Sequence, residues 1–200
     1  MQKWILVTAL FLAGCATGNA TTNGSHRVAI VAIGDVDRSL VSHAKEWTEQ
    51  NTALNVDIAH AMKLEGQTFD DVAAQAGRTL NKTDIYVVAL AMMPTNITSH
   101  GMRTPSGTVS VLNVRAMQAD NPSETILEKR IERQTLRAIS LMLDLQTCPN
   151  PQCVLATYST LSDLDRSGRN LCPPCLGHLQ KNAARHQLEV DTNNPFYLPP

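Results

Sequence analysis

The sequence predicts an α/β fold in which a mixed sheet of about four strands packs against helices, with a cysteine-rich subdomain at the C-terminal end. Two unbroken apolar runs, at 27–33 and 85–90, have the composition of buried strands. Between them, apolar residues recur at helical spacing over 36–50 and again over 69–80. Strands that alternate with helices along a chain favour an α/β arrangement.

Two further strands complete the predicted sheet. Residues 55–59 form a short strand between the two helices. The alternating apolar residues of 108–114 indicate a strand that we expect at the edge of the sheet. An extended peptide could bind along such an edge.

The C-terminal half begins with a long helix. It runs from Ser123 to about Leu145, and Glu124 suits the positive end of the helix dipole. Beyond it the chain has four cysteines, short loops and one more helix near 176–188.

Residues 1–14 have the features of a bacterial lipoprotein signal peptide. Lys3 supplies a positive start, and the apolar run at 4–11 is shorter than the roughly 20 residues that a bilayer-spanning helix needs. Leu12-Ala13-Gly14-Cys15 resembles the lipobox, in which small residues precede a cysteine that receives a diacylglycerol. Cys15 is therefore predicted to be the lipid-modified first residue of the mature chain. The alternative is an ordinary signal peptide with an incidental cysteine.

The predicted lipid makes a membrane the first expected partner. Ala16 stands where an aspartate would resemble an inner-membrane retention signal, so in a two-membrane bacterium the pattern favours the outer membrane, facing the periplasm. Residues 15–26 are small and polar and are predicted to form a flexible tether. Residues 27–200 have a length that suits one compact domain.

The charge of the chain excludes one class of partner. The full chain has 17 basic and 18 acidic residues, and loss of Lys3 with the signal peptide leaves 16 against 18. A mature net charge of about −2 offers no basic face, so no nucleic-acid partner is expected.

Four cysteines outside the signal region form two close pairs, Cys148 with Cys153 and Cys172 with Cys175. Two such pairs can supply four thiolates to one tetrahedral zinc ion, so they indicate a structural zinc site. In an exported chain the same residues could instead form two disulfides. A third alternative is a redox dithiol at Cys172 and Cys175, just before a helix. His178 is a minor candidate to replace one cysteine as a ligand.

The segment that carries these cysteines resembles the archaemetzincins, zinc-dependent peptidases of the metzincin group. Their pattern is H-E-x-x-H-x-x-G-x-x-H-C, followed by x4-C-x-M and, further on, C-x-x-C. Cys148 to Cys153 matches the C-x4-C, and Cys172 to Cys175 matches the C-x-x-C after a gap one residue shorter than in the family. The resemblance implies a metzincin-like layout over most of 27–180 and a structural zinc held by the four cysteines.

The catalytic half of that pattern is missing. Counted back from Cys148, the positions of the three zinc-ligating histidines fall on Arg137, Leu141 and Thr147, and that of the glutamate falls on Ala138. A catalytic zinc needs about three side-chain donors, and a general base must reach its bound water. The resemblance therefore implies degenerate catalytic positions and no catalytic zinc in this chain.

The remaining positions offer no replacement site in the sequence. The glycine of the pattern falls on Asp144 and the methionine of the turn on Leu155. The six histidines are not spaced as ligand pairs on a helix. Asp163 and Asp165 lie at a loop or helix start, where capping is the expected role.

Three functional hypotheses follow. The leading one is a lipid-anchored pseudopeptidase with an archaemetzincin-like fold, a structural four-cysteine zinc site and a capacity to bind a peptide or protein. The second is an active zinc-dependent metallopeptidase with displaced ligands. The third is a periplasmic structural or redox protein stabilised by two disulfides.

Overall fold

A computed structural model describes residues 26–104 and 107–197. The predicted signal peptide, Cys15 and the tether up to Ser25 lie outside the described residues. His26, the last residue of the predicted tether, pairs with Leu188 at the start of the sheet. Within the described residues, no helix is both long and apolar enough to cross a membrane.

The centre of the fold is a mixed five-stranded sheet, which confirms the predicted fold class. In chain order the strands are β1 Arg27–Ile33, β2 Val56–Ile58, β3 Asp84–Ala91, β4 Gly101–Arg103 and β5 Val109–Asn113. Their order across the sheet is β2-β1-β3-β5-β4. The first four of these run parallel, and β4 is antiparallel to β5. β1 and β3 are apolar along nearly their whole length because helices cover both faces of the sheet.

The prediction that 108–114 forms an edge strand is wrong. β5 lies inside the sheet between β3 and β4, and all five of its residues are buried. β4, which pairs Met102 with Val111, forms this edge instead. Three residues without apolar alternation give no strand signal, so the sequence does not predict β4. The edge of the sheet on this side is therefore that of β4.

Helices cover both faces of the sheet. They are α1 Arg38–Thr52, α2 Phe69–Gly77, α3 Val114–Met117, α4 Glu124–Met142, α5 Leu161–Arg166 and α6 Pro173–Arg185. α1, α4 and α6 pack on one face and α2 packs on the other, each over an aliphatic core. The four predicted helices are thus confirmed, whereas α3 and α5 are too short to give a periodic signal.

Side chains cap the N-termini of α4 and α5. The Ser123 hydroxyl accepts a hydrogen bond from the backbone N–H of Ile126 at the start of α4. Thr160 and Asp163 form a reciprocal capping box at the start of α5, which confirms the predicted role of Asp163. Asp165 does not cap the helix but pairs with Arg130.

Although α4 is buried on most sides, it carries a stripe of arginines. Arg130, Arg133 and Arg137 are spaced by three and four residues, so they lie on one face of the helix. Arg130 is 1% exposed, and its guanidinium pairs with Asp120 and Asp165, each at 2.6 Å. These two carboxylates supply the negative charge that a buried cation requires.

Arg133 extends this contact toward the C-terminal segment. Its guanidinium donates to the carbonyl oxygens of Asp165 at 3.0 Å and Ser167 at 3.1 Å. Glu132, also buried, accepts from Arg169 at 2.7 Å and lies 2.6 Å from Nε2 of His43. The charged residues of α4 therefore hold the segment that contains α5 against the body of the domain.

Arg130→Met should lower the free energy of unfolding by about 3 kcal/mol, because it leaves Asp120 and Asp165 without their shared cation. This is the lower end of the range for a broken buried pair, since both carboxylates retain contact with solvent. Urea unfolding at neutral pH measures the change. Arg166→Met, which removes an exposed pair with Asp163, is the matched control and should cost under about 0.5 kcal/mol. Equal effects of the two substitutions would contradict the expectation.

The loss of stability caused by Arg130→Met should depend on pH. Hydrogen bonds from Arg130 lower the pKa of Asp120. A carboxyl group whose pKa is lowered by folding stabilises the protein above its unfolded pKa of about 4, and this stabilisation is lost as the pH falls through the folded value. The difference between the wild type and Arg130→Met should therefore shrink below about pH 4.

Candidate metal centre

The first cysteine pair follows directly from the end of α4. Asp144 adopts a left-handed conformation with φ of 63°, and the backbone N–H of Leu145 then bonds to the carbonyl of Ser140 at 3.0 Å. This is the position at which the archaemetzincin pattern has glycine, and aspartate tolerates the left-handed region better than most residues. The turn directs the chain away from the helix and into the loop that carries Cys148.

Backbone hydrogen bonds fold this loop so that both of its cysteines face inward. The N–H of Cys148 donates to the carbonyl of Leu155 at 3.0 Å, and the N–H of Cys153 donates to the carbonyl of Asn150 at the same distance. Val154 bonds to Asn170, which brings the second cysteine pair alongside. Cys153 is fully buried as a result.

The second pair lies at the start of α6. Cys172 is the N-terminal cap residue, and Cys175 lies in the first turn. Pro173 and Pro174 occupy the first two helical positions, where the missing N–H groups cost no intrahelical hydrogen bond. The helix start therefore places both thiols on one side of the loop without breaking the helix.

The four sulfur atoms have the spacing of a tetrahedral metal site. The Sγ atoms of Cys148, Cys153, Cys172 and Cys175 all lie within 4.8 Å of one another, and those of Cys148 and Cys172 are 3.8 Å apart. Four thiolates at about 2.3 Å from one zinc ion would be separated by about 3.8 Å. All four cysteines are free thiols in the structure. The cluster can therefore hold a structural zinc, as predicted, and the geometry favours this over two disulfides.

The surroundings of the thiols differ. Burial raises the pKa of Cys153 and of Cys175. Burial acts in the same direction on Cys172, but hydrogen bonds from the backbone of Cys175 and from neighbouring thiols outweigh it and lower the pKa of Cys172. The backbone N–H of Cys172 also donates to Sγ of Cys153 at 3.5 Å. A metal ion that binds here displaces the thiol protons and supplies the positive charge that four thiolates need.

His178 is not part of this ligand group. Within the described ranges, the donors that come together for a metal ion are the four cysteines. His178 lines the cavity beside Cys148 and Cys175, together with Thr147. The suggestion that His178 replaces a cysteine ligand is therefore wrong.

The residues predicted to occupy the catalytic positions of the pattern lie on α4 and in the loop after it. Ala138 is buried within the core, Leu141 is half-buried, and Thr147 is exposed. Leu155, at the methionine position of the pattern, is fully buried. Arg137 bonds through Nη1 to the carbonyl oxygens of Val154 and Ala156, at 3.2 Å and 2.7 Å. The first ligand position of the pattern thus holds a cation that supports the loop around Leu155.

Two aromatic rings pack beside this arginine. The guanidinium of Arg137 lies 5.5 Å from the ring centre of Tyr158, which stacks on His100 with centroids 5.7 Å apart. Burial, followed by the charge of Arg130, lowers the pKa of His100. Arg103 of β4 donates to the carbonyl of Leu141 and so joins the edge strand to α4. The sequence gives no signal for these contacts, because each residue stands alone in its segment.

Cys153→Ser should abolish zinc binding and lower the thermal midpoint by about 5 °C or more, because a three-thiolate site holds the metal less well. Elemental analysis and thermal unfolding of the purified chain measure both effects. His178→Ala is the matched control and should retain zinc, since His178 lies next to the ligand group without belonging to it. Loss of zinc from His178→Ala alone would refute the four-cysteine assignment.

Part of the chain is similar in sequence to known proteins. No protein-family model matches the chain. Archaemetzincin of Pyrococcus abyssi is 24% identical over 119 residues, and that of Pyrococcus horikoshii is 25% identical over 122 residues. These alignments cover 58% and 59% of this chain and 60% and 62% of the relatives, so the chain spans about three fifths of their length. Archaemetzincin of Pyrococcus furiosus is 20% identical over 162 residues, 79% of each chain.

Solved structures have the same fold. Archaemetzincin of Methanopyrus kandleri matches with a TM-score of 0.66 and 21% identity, over 82% of this chain and 99% of that one. A zinc-dependent peptidase of Methanocorpusculum labreanum matches with a TM-score of 0.60 and 15% identity, over 76% of this chain and 99% of that one. In sequence and in fold, the chain is archaemetzincin-like.

Proposed function

We propose that this protein is a lipid-anchored, non-catalytic relative of the archaemetzincins, with one structural zinc and a surface that binds an extended peptide or protein segment. One observation carries the proposal. The four cysteines come together with zinc-site spacing, while the positions of the three catalytic ligands and the base hold Arg137, Leu141, Thr147 and Ala138.

The chemistry of these four side chains argues against hydrolysis. Leu141 and Ala138 have no atom that can ligate a metal or accept a proton, and the Thr147 hydroxyl is a weak neutral ligand. The Arg137 guanidinium is positively charged and repels a metal cation at close range. Its bonds to two loop carbonyls also commit it to a structural role.

An active peptidase with displaced ligands remains the second candidate. It needs a second set of about three donors with an open coordination position. In the ranges 26–104 and 107–197, the four cysteines are the one group of three or more His, Cys, Asp or Glu donors that comes together, and a closed four-thiolate site keeps no position for water. The described part of the chain therefore gives this candidate no ligand set.

The edge of β4 is the surface that we propose for peptide binding. β4 pairs with β5 on one side and forms the end of the sheet on the other. A peptide in extended conformation can add to such an edge through main-chain hydrogen bonds. Arg103 fixes β4 to the end of α4, so the edge is held in place before a ligand arrives.

The metal content of the purified full chain distinguishes the three hypotheses. We expect one zinc per chain, four thiols that become reactive after chelation, and no cleavage of a peptide mixture followed by mass spectrometry. Two zinc ions together with cleavage would establish the active peptidase instead. No zinc and no free thiols would establish the disulfide-stabilised protein.

Cys15→Ser should move the protein from the membrane fraction to the soluble fraction, because the predicted lipid anchor can no longer be attached. Cell fractionation followed by immunoblotting measures the distribution, and acyl labelling of the wild type tests for the lipid itself. Cys153→Ser is the matched control, since it removes a thiol of the zinc cluster and should leave the membrane association intact. Membrane association of Cys15→Ser equal to that of the wild type would refute the anchor.

A further inference from the structure

Arg137 lacks the carboxylate partner that two nearby arginines have. Arg130 is paired with two aspartates, and Arg169 is paired with Glu132. Arg133 also lacks a carboxylate partner, but its Nε, Nη1 and Nη2 all donate to carbonyl oxygens. Among the described residues, no carboxylate lies within ion-pair distance of Arg137, although this side chain is half-buried and burial lowers its pKa. A cation withdrawn from water without an anionic partner is costly. This position can therefore accept an anion.

The guanidinium also retains unused donors. The two hydrogen bonds to Val154 and Ala156 both use Nη1. Nε and Nη2 have no acceptor among the described residues, and they form one side of the planar fork that matches two oxygen atoms of a carboxylate. The part of Arg137 that is free is thus the part that recognises a carboxylate.

Gln134 lies one turn before Arg137 on α4, and its side chain supplies a second donor. The residue is 5% exposed, and its Nε2 atom is fully buried without a hydrogen bond of normal geometry. Burial raises the pKa of Tyr158. The charge of Arg137 and a contact with the Gln134 side chain act in the opposite direction. Burial is the larger effect, so the pKa of Tyr158 is raised and its O–H is a third donor at this site.

The location of this group suggests the source of the carboxylate. Tyr158 stacks on His100, which immediately precedes β4, and Arg103 at the other end of β4 bonds to Leu141, one turn after Arg137. These two contacts place the β4 edge, at which we propose that a peptide adds, beside this part of α4. The terminal carboxylate of such a peptide is an anion with two oxygens, and it arrives on a chain already held by main-chain hydrogen bonds.

We propose that Arg137, Gln134 and Tyr158 form a binding site for the C-terminal carboxylate of a peptide, at the position where the archaemetzincin pattern has its first zinc-ligating histidine. This inference rests on the proposed peptide-binding function. It also assigns Arg137 a second role, since the guanidinium supports the Leu155 loop through Nη1 and binds the ligand through Nε and Nη2.

Peptides with and without a terminal charge test the site. The full chain, purified in detergent, is titrated with a mixture of N-acetylated tetrapeptides, with the same mixture as C-terminal amides, and with sodium acetate. Binding is followed by saturation-transfer NMR, and cleavage by mass spectrometry. The free acids should bind at least about tenfold more tightly than the amides, because the charge-assisted hydrogen bonds are lost in the amides.

Four variants test which side chains cause the preference for the free acids. Arg137→Met should abolish the preference for the free acids, and Arg137→Lys should restore part of it. Gln134→Leu, which leaves Arg137 and its loop contacts in place, should weaken binding of the free acids several-fold. Arg78→Met removes an exposed arginine of a surface pair and should have no effect. Zinc content, measured on every variant, verifies that the loop and the cysteine cluster are intact.

The outcomes separate this inference from the proposed function. Equal binding of acids and amides, or an acid preference that survives in Arg137→Met, would overturn the carboxylate site. Binding of acetate as tight as that of the peptides would overturn the peptide as the source of the carboxylate. Cleavage of the peptides would overturn the non-catalytic function, whichever form binds more tightly.

Discussion

The structure depends on the hydrogen-bond acceptors and carboxylates that surround the arginines of the buried helix α4. A helix at the centre of a domain is normally apolar on its buried side, yet Arg130, Arg133 and Arg137 form a stripe there. Each guanidinium needs acceptors because an unpaired buried cation is costly. Those acceptors come largely from one place, the segment 154–167, which provides carbonyl oxygens and the carboxylate of Asp165.

This requirement connects the helix to the cysteine cluster. The loop from Cys153 to Ala156 contacts both: Sγ of Cys153 belongs to the cluster, while the carbonyl oxygens of the next residue and of Ala156 accept from Arg137. The C-terminal segment has little regular structure beyond two helices, so these cross-links add to the apolar core that it shares with α4. A metal ion bound in the cluster would therefore stabilise the same loop that Arg137 contacts.

The parts of this fold that the sequence predicts are those with local signals. Apolar runs locate β1 and β3, helical spacing locates α1 and α2, start signals locate α4, and the cysteine spacing identifies the cluster. β4 has no such signal, and its omission leads to the wrong placement of β5. The role of the arginine stripe is equally hidden, because a charged residue on a helix is expected to face solvent. Arg130 meets Asp165 only after the chain has folded across 35 positions.

The two halves of the archaemetzincin pattern can diverge separately because they do different physical work. A catalytic ligand on α4 acts through the metal that it binds. The helix remains folded when another side chain replaces this ligand, provided that the new side chain finds hydrogen-bond partners. Arg137 meets that condition by bonding to the loop carbonyls beside it. The four cysteines, in contrast, come from two separate parts of the chain and meet in one cluster. The proposed loss of the catalytic ligands, with retention of the cluster, is thus a change that leaves the contacts of α4 in place.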